Sequence, residues 1–208
     1  MNSEGIIIID YGGGNLRSVF NAITKLGYHP KVTNNAKDIL ASTATILPGV
    51  GDAGDTMDSL ERLGLSKIIC QFIHEKRPFL AICVGLQVLL SRTEERGQHE
   101  CLGVIPGIVK KLPSGLKVPH MGWNQVKQIV THPIFDGIPN EANFYFVHSY
   151  YAKPDDASVV AGTTEYGIPI CSVIIKDNLI ATQFHPEKSG ALGLKLYSNF
   201  LKKALGEK

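Results

Sequence analysis

The sequence lacks the features that mark metal, nucleic-acid and membrane proteins. No two cysteines have C-x-x-C spacing, the seven histidines form no H-E-x-x-H motif, and no run of lysine and arginine forms a basic patch. The net charge is only +2, and no apolar run reaches the length of a transmembrane helix. We therefore expect no metal site, no nucleic-acid partner and no membrane span.

A nucleotide cofactor is not indicated either. The glycine-rich segment DYGGGN at 10–15 follows an apolar run, but position 17, where G-x-G-x-x-G requires its third glycine, is Arg17. No G-K-[ST] sequence follows, so the segment is not a P-loop. We interpret it as a strand-to-helix turn and expect no cofactor.

Export signals are also missing. The chain starts with MNSEGIIIIDYGGG, in which an acidic residue precedes a short apolar run, so we expect no secretory signal peptide. The four cysteines are therefore expected to be free thiols in a reducing cytoplasm. With 208 residues, of which 44% are hydrophobic, and no repeat or linker, residues 1–208 are expected to form one domain.

The first half of the chain alternates apolar strands with amphipathic helices. Continuous apolar runs predict strands at Ile6–Asp10, Ala44–Leu47 and Phe79–Ile82, and Asn15 is predicted to cap the first helix. In the second half, strand-like segments lie at 104–112, 125–130, 143–151, 158–164, 170–176 and 179–184. A last helix is predicted at 192–205. The pattern predicts an α/β fold, with a mostly parallel sheet flanked by helices and an additional antiparallel β region.

Cys83 lies at the predicted junction between a strand ending at Ile82 and a helix beginning near Gly85. Small residues two positions before and after it, Ala81 and Gly85, permit the strained turn of a G-x-S-x-G nucleophile elbow, here with cysteine in place of serine. A helix N-terminus favours thiolate, and the N–H of Val84 would point towards a developing oxyanion. The alternative is a thiol buried in the core, where free cysteines are common.

The sequence His185-Pro186-Glu187 provides a candidate base after another predicted strand. Proline favours an extended conformation of the residue before it, so the side chains of His185 and Glu187 should project to the same side. Glu187 can then accept a hydrogen bond from one ring nitrogen of His185 while the other nitrogen faces Cys83. Pro48–Gly51 (PGVG) also follows a strand, and its backbone N–H groups would supply a second oxyanion donor. Taken alone, either motif has an alternative interpretation as an ordinary turn.

Together these motifs resemble the class I glutamine amidotransferases. The likeness is carried by PGVG at 48–51, C-x-G-x-Q at 83–87 and HPEKS at 185–189. The resemblance implies a catalytic triad in which Cys83 is the nucleophile, His185 the base and Glu187 the carboxylate that orients it. It implies an oxyanion hole made by the backbone of Val50, Gly51 and Val84. It also implies L-glutamine as the substrate, bound near Gln87, Glu95, Ser149 and Tyr150.

Two departures from the family pattern lie at the elbow. Ala81 stands where glycine is frequent, and Val84 and Leu86 replace the usual leucine and methionine. All three residues are small or apolar, so we expect the turn to survive.

Four further segments are similar to one branch of this family, which serves histidine biosynthesis. They are IIDYGGGNLRSV, PHMGWN at 119–124, YFVHSYYA at 145–152 and GTTEYG at 162–167. This likeness implies a separate (β/α)₈ cyclase subunit as partner and an interface formed by His120, Met121, Trp123 and Asn124. It also implies that the Pro48–Gly51 loop completes its oxyanion hole when the partner is ligated. Composition alone equally allows Trp123 to be a core residue.

Three other functions stay open at this point. They are a different amidotransferase branch, serving pyridoxal phosphate, anthranilate or guanylate synthesis; a cysteine peptidase or γ-glutamyl hydrolase; and a regulatory subunit with a degenerate site. PHMGWN argues against the first, and the intact Cys83, His185 and Glu187 argue against the third. Peptide cleavage without ammonia release would identify the second.

Overall fold

The computed structural model describes residues 5–207, and a nine-stranded mixed sheet runs through its centre. In order across the sheet, the strands are β2 (Lys31–Thr33), β1 (Ile6–Ile9), β3 (Ala44–Leu47), β4 (Phe79–Ile82), β13 (Leu179–Thr182), β12 (Pro169–Lys176), β11 (Val160–Glu165), β8 (His120–Gln128) and β9 (Ala142–His148). The first five strands are parallel, and β12, β11, β8 and β9 extend the sheet in antiparallel pairs. The predicted α/β fold is confirmed, and the antiparallel region is a continuation of the same sheet.

A second, smaller sheet packs beside the first. Its strands, in order, are β10 (Tyr150–Pro154), β7 (Gly107–Lys111), β5 (Arg92–Thr93) and β6 (His99–Glu100). The single strand predicted over 143–151 is therefore two strands, β9 and β10, which belong to different sheets and meet at Ser149. This junction brings the two sheets together at one residue.

Residues 5–207 contain six α-helices. They are α1 (Leu16–Lys25), α2 (Ala36–Ala41), α3 (Ala53–Arg62), α4 (Leu65–His74), α5 (Val84–Gln87) and α6 (Gly190–Leu205). Helix α1 packs against α6, and α4 packs against α2 and α3. Helix α3 begins at Ala53 because the side chain of Asp52 accepts hydrogen bonds from the N–H groups of Gly54 and Asp55, which are free at a helix start. Between residues 5 and 207, no helix combines the length and apolar character needed to cross a bilayer.

The core lies around the central parallel strands. Every residue of β1, β3, β4 and β13 is buried, as expected for parallel strands covered on both faces. Fully burying an Ile or Leu side chain stabilises the fold by about 1.5–3 kcal/mol, so these strands form a firm platform. Pro48, Cys83 and Gln183 each follow the last residue of one of these strands, so all three lie at the carboxyl edge of the sheet, where α/β proteins bind ligands.

Candidate active site

Cys83 occupies a strained turn between β4 and α5. Its φ and ψ angles are 54° and −107°, a combination that costs a non-glycine residue about 1–3 kcal/mol. The turn is tight because a Cβ atom at Gly85 would lie 2.4 Å from the backbone oxygen of Leu47. The N–H of Cys83 donates to the carbonyl of Thr182 at 2.7 Å, which ties the turn to β13. The strained strand-to-helix turn expected from the sequence is therefore present.

The sulfur of Cys83 lies in a buried but polar environment. The residue is only 3% exposed, yet Sγ is 3.9 Å from the carbonyl oxygen of Val147 and 3.7 Å from Nε2 of Gln183. The thiol can donate to the first group, and the sulfur accepts from the second. The surroundings thus differ from those of a thiol sealed among aliphatic side chains.

His185 follows β13 and is held by Glu187. Nδ1 of His185 lies 2.8 Å from Oε1 of Glu187, and both side chains are 1% exposed. Burial lowers the pKa of His185, but its interactions with Cys83 and Glu187 outweigh burial and raise that pKa to about 9. Nε2 is buried and has no hydrogen-bond partner within residues 5–207. This nitrogen is therefore available for proton transfer on the side of Cys83.

Two residues that the sequence did not assign to the site lie near Glu187. Nδ2 of Asn15 donates to Oε1 of Glu187 at 3.4 Å, across 172 positions of sequence. Asn15 precedes α1 but makes no side-chain hydrogen bond to that helix, so the predicted side-chain cap is wrong. Tyr197 on α6 is fully buried, and burial followed by the charge of Glu187 raises its pKa well above the ordinary value. No sequence motif marks Tyr197.

A cavity of about 370 Å³ opens beside Cys83 and His185. Its other lining residues that were predicted from the sequence are Val50, Gly51, Val84, Gln87, Glu95, Ser149 and Tyr150. Glu187 lies behind His185 and does not line the cavity. Four lining residues were not predicted, namely Pro119, Val147, His148 and Lys188. The structure thus brings all the predicted oxyanion and substrate residues to one cavity with the cysteine and the histidine.

A larger cavity of about 690 Å³ lies elsewhere, between α4 and the segments 102–104 and 176–177. It contains none of the residues predicted to act in catalysis. Its size alone therefore does not make it the candidate site.

Glu95 forms a polar end of the smaller cavity. Its Oε2 accepts from the N–H of Ala53 at 2.9 Å, which fixes the carboxyl group near the start of α3. Burial is the main influence on Glu95 and raises the pKa of its carboxyl group. A cation binding next to this carboxylate would offset the cost of its burial.

The four residues predicted to form a partner interface alternate between two faces of β8. Met121 and Trp123 are 62% and 58% exposed, so the alternative of Trp123 as a core residue is wrong. His120 is buried and Asn124 is half-buried. The ring of His120 stacks on that of Tyr166 with centroids 3.9 Å apart. Of these four residues, Met121 and Trp123 therefore present large apolar surface to the outside.

Comparison with known proteins gives consistent matches along nearly the whole chain. The family described as "Glutamine amidotransferase class-I" matches residues 7–204. The imidazole glycerol phosphate synthase subunit HisH of Dehalococcoides mccartyi strain CBDB1 is 57% identical over 98% of this chain and 99% of its own length. The HisH subunit of Chloroflexus aurantiacus is 49% identical over 95% of each chain.

Two solved structures resemble the fold at low sequence identity. The crystal structure of a glutamine amidotransferase has a TM-score of 0.76 at 18% identity, covering 96% of this chain and 99% of that one. The PurLQS structure from Thermotoga maritima has a TM-score of 0.75 at 17% identity, covering 95% and 97%. At such identities the two matches show a shared fold.

Proposed function

Since this chain belongs to the class-I glutamine amidotransferase family, we propose that it is the glutaminase subunit of an imidazole glycerol phosphate synthase. It hydrolyses L-glutamine to glutamate and ammonia, and the ammonia passes to a cyclase subunit in histidine biosynthesis. The observation that supports this most directly is that a strained cysteine and a carboxylate-bound histidine line one cavity of about 370 Å³. This volume lies within the range of small-molecule pockets, which begins at about 300 Å³.

In the first half-reaction, the Cys83 thiolate attacks the side-chain amide carbon of glutamine. A C–S bond forms, and the carbonyl electrons move to the oxygen, where the backbone N–H groups of Val84 and of the Val50–Gly51 segment stabilise the negative charge. His185, kept as an imidazolium by Cys83 and Glu187, gives its Nε2 proton to the leaving nitrogen. The C–N bond breaks, ammonia departs, and a γ-glutamyl thioester remains on Cys83.

In the second half-reaction, water hydrolyses the thioester. Nε2 of the now neutral His185 takes a proton from the water as its oxygen attacks the thioester carbon. The C–S bond then breaks, which releases glutamate and returns the thiolate–imidazolium pair. Throughout both steps Glu187 holds the proton on Nδ1, so that Nε2 alone exchanges protons.

The cavity wall offers complementary groups for the amino-acid end of glutamine. The Glu95 carboxylate is suited to the α-ammonium group, whose positive charge offsets the burial of Glu95. Nε2 of Gln87 already donates to the carbonyl of Tyr150 at 2.8 Å and to Oε1 of Gln183 at 3.2 Å. Gln87 therefore presents its amide oxygen, an acceptor, to the substrate. The backbone at Ser149 and Tyr150 forms the adjacent wall.

The released ammonia needs an acceptor close by, because in neutral water it is protonated and loses its nucleophilic electron pair. A cyclase subunit docked on this chain supplies that acceptor. Met121 and Trp123 are the centre of the proposed interface, since both are largely exposed and tryptophan is enriched among residues that dominate binding energy. His120 and Asn124 lie beneath them and support the strand. Docking is proposed to complete the oxyanion hole at the Pro48–Gly51 loop.

The remaining expectations about the chain are part of the same proposal. Residues 1–208 act as one glutaminase domain, which the continuous nine-stranded sheet supports. The reaction takes place in the cytoplasm, which agrees with the four cysteines being free.

Glutamate release with and without the cyclase subunit and its nucleotide tests this function. We expect slow release by the isolated chain, strong stimulation by the ligated partner, and loss of release in Cys83→Ala. Glutamate release by Cys83→Ala at a rate comparable to wild type would remove the nucleophile assignment. Equal rates with and without the partner would contradict the gating of the oxyanion loop.

A further inference from the structure

Gln183 contacts the sulfur of Cys83 from outside the substrate cavity. It follows β13, is 0% exposed, and does not line the cavity. Its backbone is fixed, since its N–H donates to the carbonyl of Ser172 at 2.9 Å. Its Nε2 lies 3.7 Å from Sγ of Cys83, within the usual range for a hydrogen bond to sulfur. A buried amide therefore touches the proposed nucleophile without touching the space for glutamine.

The orientation of this amide follows from an unambiguous acceptor. The carbonyl oxygen of Tyr150 can only accept, so the amino group of Gln87, 2.8 Å away, must face it. The second N–H of Gln87 then donates to the Gln183 side chain at 3.2 Å, which must therefore present its oxygen there. The Gln183 amino group is left to face Cys83. The hydrogen bonds from Tyr150 through Gln87 therefore determine which end of the Gln183 amide faces the sulfur. The assignment does not depend on an arbitrary choice between the two amide orientations.

The Tyr150 carbonyl is itself held from a second side. Nδ1 of His148 lies 2.9 Å from it and must carry the proton, so Nε2 of His148 accepts from Nδ1 of His120, also at 2.9 Å. Burial is the main influence on both rings and lowers the pKa of each to about 4, so both are neutral, as this donor order requires. Asn124 is 3.3 Å from the other nitrogen of His120. The acceptor that orients Gln87 and Gln183 is therefore rigidly placed.

We propose that Gln183 is a further catalytic residue of glutamine hydrolysis, whose side-chain amide donates a hydrogen bond to Sγ of Cys83 and stabilises the thiolate. This inference rests on the function proposed above. A thiolate in a buried site needs donors, because burial penalises the charged form. His185 provides a cation, and Gln183 provides a neutral donor. The Val147 carbonyl has the opposite effect, since it can only accept a hydrogen bond from the thiol.

Two variants remove the donor with little change in side-chain volume. Gln183→Met loses the donor without adding charge, and Gln183→Glu replaces it with an acceptor of negative charge. The rate at which iodoacetamide alkylates Cys83 is measured from about pH 5 to about pH 10, with peptide mass spectrometry to separate it from the other cysteines. At neutral pH we expect about 10-fold slower alkylation in Gln183→Met and a larger loss in Gln183→Glu.

Turnover separates this role from one in substrate binding. In complex with the cyclase subunit and its nucleotide, kcat for glutamate release is expected to fall about 10-fold in Gln183→Met. KM for glutamine stays close to wild type, because Gln183 lies outside the cavity. Two titratable groups, His185 and Tyr11, interact with Cys83, and both are present in all these proteins. Gln71→Met, on the exposed side of α4, is the matched control and should leave all values unchanged.

An unchanged alkylation profile in a folded Gln183→Met protein would overturn the proposal. If neither variant folds, the side-chain amide resonances of Gln183 in the wild-type chain provide the test. The chemical shifts of these resonances should change when Cys83 ionises. Chemical shifts that stay constant across that ionisation would also overturn the proposal. Wild-type turnover in the Gln183 variants would leave the proposed function intact, whereas glutamate release by Cys83→Ala would remove that function.

Discussion

Nδ1 of His185 and Oε1 of Glu187 lie 2.8 Å apart, with both side chains 1% exposed. Water therefore has almost no access to this contact, and the charge of the carboxylate acts on the ring with little screening. Burial lowers the pKa of His185, but Cys83 together with this contact raises it to about 9. Nε2 has no hydrogen-bond partner among residues 5–207, and His185 lines the cavity. The chemistry proposed for the site depends on this pairing.

Replacing Glu187 by glutamine tests the pairing directly. The amide of Glu187→Gln can still accept from Nδ1, but it no longer stabilises the imidazolium, so the pKa of His185 falls from about 9. We expect kcat for glutamate release by the complex with the ligated cyclase to drop at least about 10²-fold. Glu61→Gln, on the exposed side of α3, serves as the control. A rate for Glu187→Gln within about two-fold of wild type would contradict the assignment.

Asn15 and Asn35 offer a paired comparison, since both precede a helix and only one caps it. Asn35 accepts from the N–H groups of Lys37 and Asp38, whereas Asn15 donates to Glu187. Asn35→Ala is therefore expected to lower the free energy of unfolding by about 1 kcal/mol without changing glutamate release. Asn15→Ala should reduce kcat several-fold and leave stability almost unchanged. Urea denaturation and a glutaminase assay on both variants provide the measurements, and the reverse pattern would show that Asn15 acts as a cap.

The buried pair of His120 and His148 predicts a loss of stability in acid. Burial lowers the pKa of both rings from 6.5 to about 4, so the unfolded chain binds protons at a higher pH than the folded chain. The free energy of unfolding should therefore decrease as the pH falls from about 6.5 to about 4. In His148→Gln one of these groups is gone, and the decrease over the same interval should be smaller.

Urea unfolding at several pH values measures this difference. His74→Gln, which changes an exposed histidine at the end of α4, is the matched control. Carboxylates titrate in the same interval but are common to all three proteins, so they cancel in the comparison. Parallel curves for wild type and His148→Gln would refute the assigned contribution of His148.

Trp123→Ala tests the proposed docking surface. The side chain is 58% exposed, so its removal should hardly change the stability of the isolated chain. If Trp123 dominates the interface, the Kd for the cyclase subunit should rise about 30-fold or more. Val32→Ala provides a control, because Val32 is 37% exposed on β2, at the opposite edge of the nine-stranded sheet. Calorimetric titration measures the affinity of each variant for the cyclase subunit. Equal Kd values for wild type and Trp123→Ala would contradict an interface centred on Trp123.

The strands of the core and the turn at Cys83 could be predicted because short, continuous sequence segments determine them. The apolar runs at β1, β3 and β4 predict strands that are buried on both faces, and the small residues around Cys83 predict the strained turn. The period of two along a strand also places Met121 and Trp123 on one face of β8 and His120 and Asn124 on the other. Within the predicted interface of four residues, Met121 and Trp123 are therefore the exposed pair, and the interface itself stays a prediction.

The features that the sequence did not reveal depend on contacts between distant parts of the chain. Asn15 is of a residue type that commonly caps helices and stands just before α1, and only the fold brings it to Glu187. Tyr197 and Gln183 look like ordinary residues of a helix and a strand end, yet they lie against the two ends of the proposed triad. The division of 143–151 into two strands is decided by partners in different sheets, which no local propensity encodes.

The junction at Ser149 restricts how this chain can vary in evolution. His148 ends a strand of one sheet and Tyr150 begins a strand of the other, with a single residue between them. Because side chains alternate along a strand, inserting or deleting one residue here would invert the faces of whatever follows. Such a change would withdraw the Tyr150 carbonyl from both Gln87 and His148. Natural insertions and deletions in related sequences should therefore avoid this point and accumulate in surface turns such as 113–118.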